Sequence, residues 1–356
     1  MVRRMGRRGV LGVLVAAVVG GMLLAACGDE PKAQSAGAAG SGLVAPGAFT
    51  TDGSPPPEGG PTARPAEDPA AIIAGLWTRR QAGMLTEDAA VFRKLDAGPL
   101  AAHDLSIARL VACGCDVPRH QSPLQRVVLL RSRKPTPGVL LAEVFTDTPD
   151  GTFRFLVVAE KVKRVWRLAF VTEDTYDTAG VRTFIDGRAT APATTASDRR
   201  AGAAILRREV AELLRWSKTG QAMSTIFTGK ALGSHLDQGR PNANRGTTDY
   251  GAPMVATTEL HKQDPIFTFR LDRKRVITCG AWHSPVTTFA PPGQVLVQPP
   301  NRHGWGPDLR PGSYASVTLD QQTLTCILDH GTGATRRYEG IGDYHATITT
   351  TGRRGA

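Results

Sequence analysis

Apolar residues along the chain predict two groups of elements, each with helices followed by strands. In the first group, an apolar stripe at helical spacing begins at Ile72, behind Asp68-Pro69, a favoured helix start. Two shorter helices are expected before Val111. Apolar and polar residues then alternate, which is typical of strands. The expected strands cover 127–130, 139–145, 153–157 and 166–170.

The second group begins after a linker at 186–198 that is rich in Ala, Pro and Thr. A long helix is expected from a cap at Ser197 or Asp198 to about Ser217. Strands are expected at 254–260, 266–271, 276–282, 295–298, 314–319, 324–328 and 337–349. Helices before antiparallel strands predict an α+β protein.

We expect two domains, each with N-terminal helices packed on a curved, mainly antiparallel β-sheet. The first domain is assigned to 67–185 and the second, richer in strands, to 199–350. Residues 351–356 are interpreted as a disordered tail. The 330 residues from 27 to 356 are too many for one small core, which favours two domains.

The N-terminus reads as an export signal. Four arginines precede an apolar run from Val10 to Ala26, which is short for a membrane span. The run ends in Leu24-Ala25-Ala26-Cys27, which resembles the lipobox of bacterial lipoproteins. The resemblance implies cleavage before Cys27, lipid on its sulfur and acylation of the new amine. An ordinary signal peptide with an incidental cysteine, or an uncleaved anchor, is the alternative.

The predicted location is therefore the outer face of the cytoplasmic membrane, with lipid attached at Cys27. The export route is left open between the general secretory and twin-arginine systems. Residues 1–26 are the signal peptide, and 27–66, rich in Gly, Ala, Pro, Ser and Thr, form a disordered tether. Abundant Ala, Arg, Gly and Pro with little Lys indicate a high-GC genome, as in actinobacteria.

The charge is basic but dispersed. Four of the 43 basic residues and none of the 32 acidic ones lie in the signal, so the mature chain carries +7. A basic exterior favours anionic lipid headgroups or anionic wall polymers as neighbours. The densest clusters, at 161–164 and 270–275, are interpreted as hairpin turns, with a binding patch as the alternative.

Four cysteines besides Cys27 favour disulfides in an oxidising compartment. Cys279 and Cys326 each lie on the apolar face of an alternating strand, so we expect them to pair in the second domain's core, with two free core thiols as the alternative. Cys113 and Cys115, separated by one glycine, are interpreted as a structural disulfide, local or elsewhere. A buried reduced pair or thiol chemistry is the alternative for them.

The sequence contains no motif for a serine nucleophile elbow, an HExxH zinc site, a CxxC pair or a P-loop. The eight histidines have no ligand spacing. We therefore expect no catalytic, metal or cofactor site and no nucleic-acid partner.

Three short motifs carry a family resemblance: Asp96-Ala-Gly98-Pro99, Val117-Pro118-Arg119 and Val165-Trp166-Arg167-Leu168. They resemble a domain of unknown function in actinobacterial lipoproteins. The resemblance implies a lipobox, a tether and two α+β units over 68–349, and it brings no established activity. The order of elements is also similar to nuclear-transport-factor-like cone folds, which implies no chemistry.

We therefore expect a membrane-anchored, extracytoplasmic lipoprotein that acts as a non-enzymatic binding or scaffolding protein of the cell envelope. Its expected partners are membrane lipid through Cys27, an envelope protein or wall polymer, and a small apolar ligand held in the cone. One alternative is an envelope hydrolase whose site is assembled only in the fold. A second is the solute-binding lipoprotein of a transporter.

Overall fold

The structure is a computed structural model. It describes residues 68–86, 88–112, 123–148, 151–173, 183–219, 264–298, 308–330 and 335–354, together with 224, 227–228, 254–256 and 260. The predicted signal peptide, the predicted tether and the Cys113–Cys115 pair lie outside the described residues.

Three helices open the described chain, as predicted. They are α1 (Pro69–Thr86), α2 (Ala89–Leu95) and α3 (Gly98–Ala112). Asp68 accepts a hydrogen bond from the Ala70 N–H at 3.0 Å, and Asp88 accepts one from the Ala90 N–H at 2.8 Å. These contacts satisfy donors that a helix N-terminus otherwise leaves unpaired. Gly98 opens α3 with a φ of +56°, a conformation that glycine adopts easily.

The first half continues as an antiparallel meander of four strands. The strands of this half are β1 (Leu124–Leu129), β2 (Arg131–Ser132), β3 (Val139–Thr148), β4 (Gly151–Val162), β5 (Val165–Glu173) and β6 (Thr190–Ala191). The short strands β2 and β6 pair with each other in parallel, outside the main sheet. The predicted linker thus contributes a strand that returns to the first half.

The second half contains one described helix and seven described strands. They are α4 (Ala196–Thr219), β7 (Phe227–Thr228), β8 (Met254–Ala256), β9 (Phe267–Arg270), β10 (Val276–Phe289), β11 (Leu296–Gln298), β12 (Gly312–His330) and β13 (Arg337–Arg354). The cap of α4 was predicted at Ser197 or Asp198, and it lies two or three residues earlier, at Thr195. The Asp198 N–H donates to the Thr195 hydroxyl at 3.1 Å, and the Thr195 N–H donates to Asp198 at 2.8 Å. This reciprocal pair is a capping box that begins at Thr195.

Two strand predictions are also corrected. The strands expected at 314–319 and 324–328 are one strand, β12, whose polar residues between them continue the ladders to β10 and β13. Residues 351–354, expected in a disordered tail, belong to β13 and pair with β12 as far as Tyr314↔Arg354. Backbone pairing, rather than apolar side chains, holds both stretches in the sheet.

The two halves share one sheet of 11 strands, with β5 next to β13. Within the described residues, one residue pair, Asp343↔Glu173, joins these two strands. The largest apolar cluster contains residues of both halves, from Ile73 and Trp77 to Cys279 and Cys326. The fold is therefore α+β with a mostly antiparallel sheet, as predicted, whereas the division into two domains stays a prediction.

Candidate functional site

The predicted disulfide between Cys279 and Cys326 is confirmed. The two cysteines lie directly opposite each other on β10 and β12, and both are fully buried. Their Cα atoms are 4.1 Å apart, just below the usual range, because they face each other across adjacent strands. Neighbouring Gly280 faces Leu206 of α4, so alternation places the disulfide on the other side of β10.

A cluster of buried charged side chains lies where α1 and α3 meet. The Arg80 guanidinium on α1 donates to both carboxylate oxygens of Asp104 on α3, at 2.6 and 2.9 Å. His103 Nδ1 lies 3.2 Å from the same carboxylate. The exposed fraction is 3% for Arg80 and zero for His103 and Asp104. A bidentate pair of this kind is geometrically specific, which fixes the two helices relative to each other.

Asp96 adds a second carboxyl group to this cluster. It caps the C-terminus of α2, where its N–H donates to the Phe92 carbonyl, and it is only 1% exposed. Burial, followed by the charge of Asp104, raises the pKa of Asp96 to about 9, although Arg80 and Arg167 oppose the shift. Asp96 therefore keeps its proton at neutral pH, because a buried anion beside another anion is unfavourable.

Asp104 titrates in the opposite direction. Burial alone would raise its pKa, but Arg80 and His103 together lower the pKa to about 2. The cluster thus holds one neutral and one ionised carboxyl group at neutral pH. Split pairs of this kind serve acid–base chemistry in enzymes, but only where a substrate reaches them. Both aspartates are at least 99% buried, so the cluster links helices and is almost entirely closed to solvent.

A second buried acid fastens the segment just before the predicted linker to the sheet. Glu143 on β3 accepts hydrogen bonds from the backbone N–H groups of Phe184 at 2.8 Å and Ile185 at 3.1 Å. Arg154 on β4 lies 3.6 Å from the same carboxylate and stacks over the Phe184 ring at 3.9 Å. Burial raises the pKa of Glu143 in spite of these contacts. Glu143 and Arg154 therefore hold residues 184–185, just before the predicted linker, against the sheet.

The described histidines form no metal site. His283 Nε2 lies 3.0 Å from Asp264, and its Nδ1 lies 3.8 Å from Asp320. Within the described ranges, no group of three or more His, Cys, Asp or Glu side chains is arranged to hold a metal ion. The carboxylate of Asp329 accepts hydrogen bonds from the Arg336 guanidinium.

No family model matches this chain. No curated protein matches it significantly either. Among solved structures, the chain is similar to an NTF2-like protein involved in plasmid conjugation, with 7% sequence identity and a TM-score of 0.18. The match covers 78% of this chain and 97% of that one. A TM-score this low does not establish a shared fold, and the family resemblance of the sequence stays a prediction.

The structure brings together only some of the residues that the sequence singled out. Cys279 and Cys326 meet, whereas Cys27, Cys113 and Cys115 lie outside the described residues. Among the helices that the structure describes, none is long and apolar enough to cross a membrane.

Sequence reasoning missed the cluster around Asp104. The available signal was a His-Asp pair at 103–104 inside a mostly apolar helix, since polar groups on a buried face usually have partners.

Proposed function

We propose that this chain is a membrane-anchored, extracytoplasmic lipoprotein that works by binding rather than by catalysis. The observation that carries the proposal is the buried disulfide between Cys279 and Cys326. Stable disulfides belong to oxidising compartments and are rare in the cytosol. The bond therefore supports export, which the arginine-rich start and the lipobox-like Leu24–Cys27 segment suggest independently.

The placement of the acidic groups supports binding over catalysis. Asp96, Asp104 and Glu143 are all enclosed. The Asp104 carboxylate pairs with Arg80, and the Glu143 carboxylate accepts backbone hydrogen bonds. The contacts of Asp104 and Glu143 hold helices and the segment before the predicted linker in place, which is a task of stability. Binding by the outer surface, to an envelope protein or a wall polymer, uses exposed strands and turns, and these need no buried reactive group.

The anchoring part of the proposal is tested by replacing Cys27 with serine in the natural host. We expect the native protein in the membrane fraction with a lipid-modified N-terminal Cys27, and the Cys27→Ser variant in the soluble fraction. Ser41→Ala in the tether, which leaves the lipobox-like segment intact, is the control. Full membrane retention of Cys27→Ser, with no lipid on native Cys27 by mass spectrometry, contradicts the anchor.

The binding part is tested by cross-linking the anchored protein in intact cells and identifying what it captures. We expect a reproducible envelope protein or wall fragment that is absent from cells producing an unrelated lipoprotein. Hydrolysis of a panel of ester, amide and glycoside substrates by the purified protein, at rates that buried-cluster variants abolish, would instead favour the hydrolase alternative.

A further inference from the structure

Two turns of the first half meet at one end of the sheet. The β4–β5 hairpin turns at Lys163-Arg164, between the paired residues Val162 and Val165. The loop between β2 and β3 lies beside it, because the Lys161 N–H donates to the Gly138 carbonyl at 2.7 Å. We call this end the basic tip and define it as residues 131–138 and 161–166.

The basic tip concentrates positive charge. Its cations are all exposed, and they are Arg131, Arg133, Lys134, Lys161, Lys163 and Arg164. Neither segment of the tip contains an acidic residue. Like charges held this close repel one another, and an anion bound against them would relieve that repulsion.

The backbone at the tip is unfavourable for the residues that occupy it. Lys163 and Arg164 have φ angles of 49° and 71°, so both lie in the left-handed region. A two-residue hairpin of this kind favours Asn-Gly, since a Cβ atom disfavours positive φ. Strain retained at an exposed turn indicates a function for the side chains held there. Here those side chains are two cations at the outermost point of a hairpin.

Apolar surface lies next to the charge. Val165 is 56% exposed, the largest exposure among the described large apolar side chains. Trp166 follows it, and the Lys161 ammonium lies 5.4 Å from the centre of the indole ring. Cations beside an aliphatic group and a tryptophan match a lipid–water interface, where basic side chains meet headgroups and apolar ones enter below them.

We propose that the basic tip binds the anionic phospholipid headgroups of a membrane surface. A lipid surface accounts for both the cations and the exposed Val165, whereas a soluble polyanion accounts only for the cations. The inference rests on the proposed function in one respect, since the anchor would keep the tip near such a surface. A lipid chain and a polybasic patch together give firmer attachment than either alone.

The test uses the mature chain with Cys27→Ser, so that no attached lipid contributes to binding. Binding is measured by co-sedimentation with vesicles of pure phosphatidylcholine or with 40% phosphatidylglycerol added. We expect at least about tenfold tighter binding to the anionic vesicles, weakening as salt is raised.

The diagnostic variant is Lys163→Asn with Arg164→Gly. It removes two charges and supplies the residues that the turn favours, so the melting temperature should rise while affinity for anionic vesicles falls several-fold. Arg273→Gln with Lys274→Gln, at the exposed turn between β9 and β10, removes the same charge elsewhere and should leave binding near its original level. An affinity loss without unfolding separates a binding role from a structural one.

Val165→Ser distinguishes a lipid surface from other anions. It should weaken vesicle binding and leave binding to soluble polyglutamate unchanged. The proposal is overturned by equal binding to both vesicle types, by equal losses in the two double variants, or by a Val165→Ser variant that binds vesicles like its parent. These outcomes say nothing about the lipid anchor, which is tested separately by mass spectrometry of native Cys27.

Discussion

Asp96 and Asp104 lie in the same buried cluster, yet their pKa values move in opposite directions. Arg80 donates two hydrogen bonds to Asp104, and this contact keeps Asp104 ionised. Ionising Asp96 would place a second negative charge in the same buried site, which is unfavourable, so Asp96 stays protonated. The position of one guanidinium thus assigns different protonation states to two identical side chains.

Replacing Asp96 with asparagine should change how stability depends on pH. The native pKa lies above the unfolded value, so the folded state holds a proton that the unfolded state releases, and stability falls as pH rises from about 4 to about 9. Asn cannot ionise, so Asp96→Asn should flatten this decline and stabilise the protein at pH 8 by on the order of a few kcal/mol.

Urea unfolding of both proteins at pH 5, 6.5 and 8 measures this difference. The midpoints should be close at pH 5 and should separate as pH rises. If the urea midpoints of the two proteins change in parallel with pH, the pKa of Asp96 is not raised by folding.

Replacing Asp104 with asparagine should destabilise the protein strongly at neutral pH. Because the pKa of Asp104 is lowered on folding, its contribution is present above about pH 4 and is lost as pH falls toward 2. The variant leaves the buried Arg80 charge without its carboxylate, a loss that typically costs about 3–5 kcal/mol. Urea unfolding at pH 7 checks it, with the exposed Asp88→Asn as a control. A loss below about 1 kcal/mol would show that Arg80 finds another partner.

At the residue scale, the disulfide could be predicted and the acid cluster could not. Cys279 and Cys326 lie on strands whose alternation is visible in the sequence, so their burial on an apolar face followed directly. Arg80 and Asp104 are 24 residues apart on different helices, and their contact depends on how those helices pack. Local periodicity carries no information about that packing.

The helices and strands were largely predictable, but the predicted strands ended too early where polar residues begin. Helices and strands with regular apolar spacing were found, but β12 and the end of β13 extend through polar residues. There β12 is maintained by backbone pairing with β10 and β13 on its two sides, and the end of β13 by pairing with β12, which a single sequence does not reveal. Buried Gln322 and Thr323 show that polar side chains also belong to this interior.

Two glycines on helices should respond oppositely to alanine. A Cβ at Gly202 of α4 would lie 2.2 Å from the Thr278 hydroxyl and 2.8 Å from that of Thr268, so Gly202→Ala should destabilise by about 1–3 kcal/mol. A Cβ at Gly75 of α1 would meet nothing within 4 Å, so Gly75→Ala should stabilise by about 0.5–1 kcal/mol.

Thermal and urea unfolding of the two variants, side by side, checks the contrast. Both variants replace a helix glycine with alanine, so the gain in helix propensity is common to them and only the steric contact differs. Equal stabilisation by both substitutions would mean that α4 does not approach β9 and β10 as closely as described.

At the scale of the whole molecule, the shared sheet could not be predicted. The sequence indicates two groups of helices and strands, but it does not show that β5 and β13 are neighbours or that one cluster includes Trp77 and Cys326. Those contacts join residues far apart in the chain, and neither helix spacing nor strand alternation encodes them. The family resemblance implied two units but not how they join.

Removing the disulfide should weaken the whole molecule. Its cysteines are 47 positions apart, and closing a loop of that size stabilises by roughly 4 kcal/mol in the chain-entropy model. Cys279→Ala with Cys326→Ala should therefore lower the urea midpoint substantially. Peptide mapping without reduction should find the two cysteine peptides linked in the native protein. Free thiols at both positions in protein exported by its host would contradict the bond.

The predicted tether should be dispensable for folding. Residues 28–66 lack apolar periodicity and cannot bury enough surface to offset their ordering. A chain beginning at Ala66 should unfold at the same temperature and with the same cooperativity as the mature chain. A marked drop in melting temperature would indicate that the segment packs against the folded part.

The pairing of Cys279 with Cys326 makes strand register chemically visible. Side chains alternate between the two faces of a strand, so a slip of one residue between β10 and β12 would turn Cys326 toward the side covered by α4. The two sulfurs then lie on opposite faces and cannot join. Formation of the disulfide therefore requires the correct register between these two strands. A chain with the wrong register keeps two free thiols, which can be measured by alkylation.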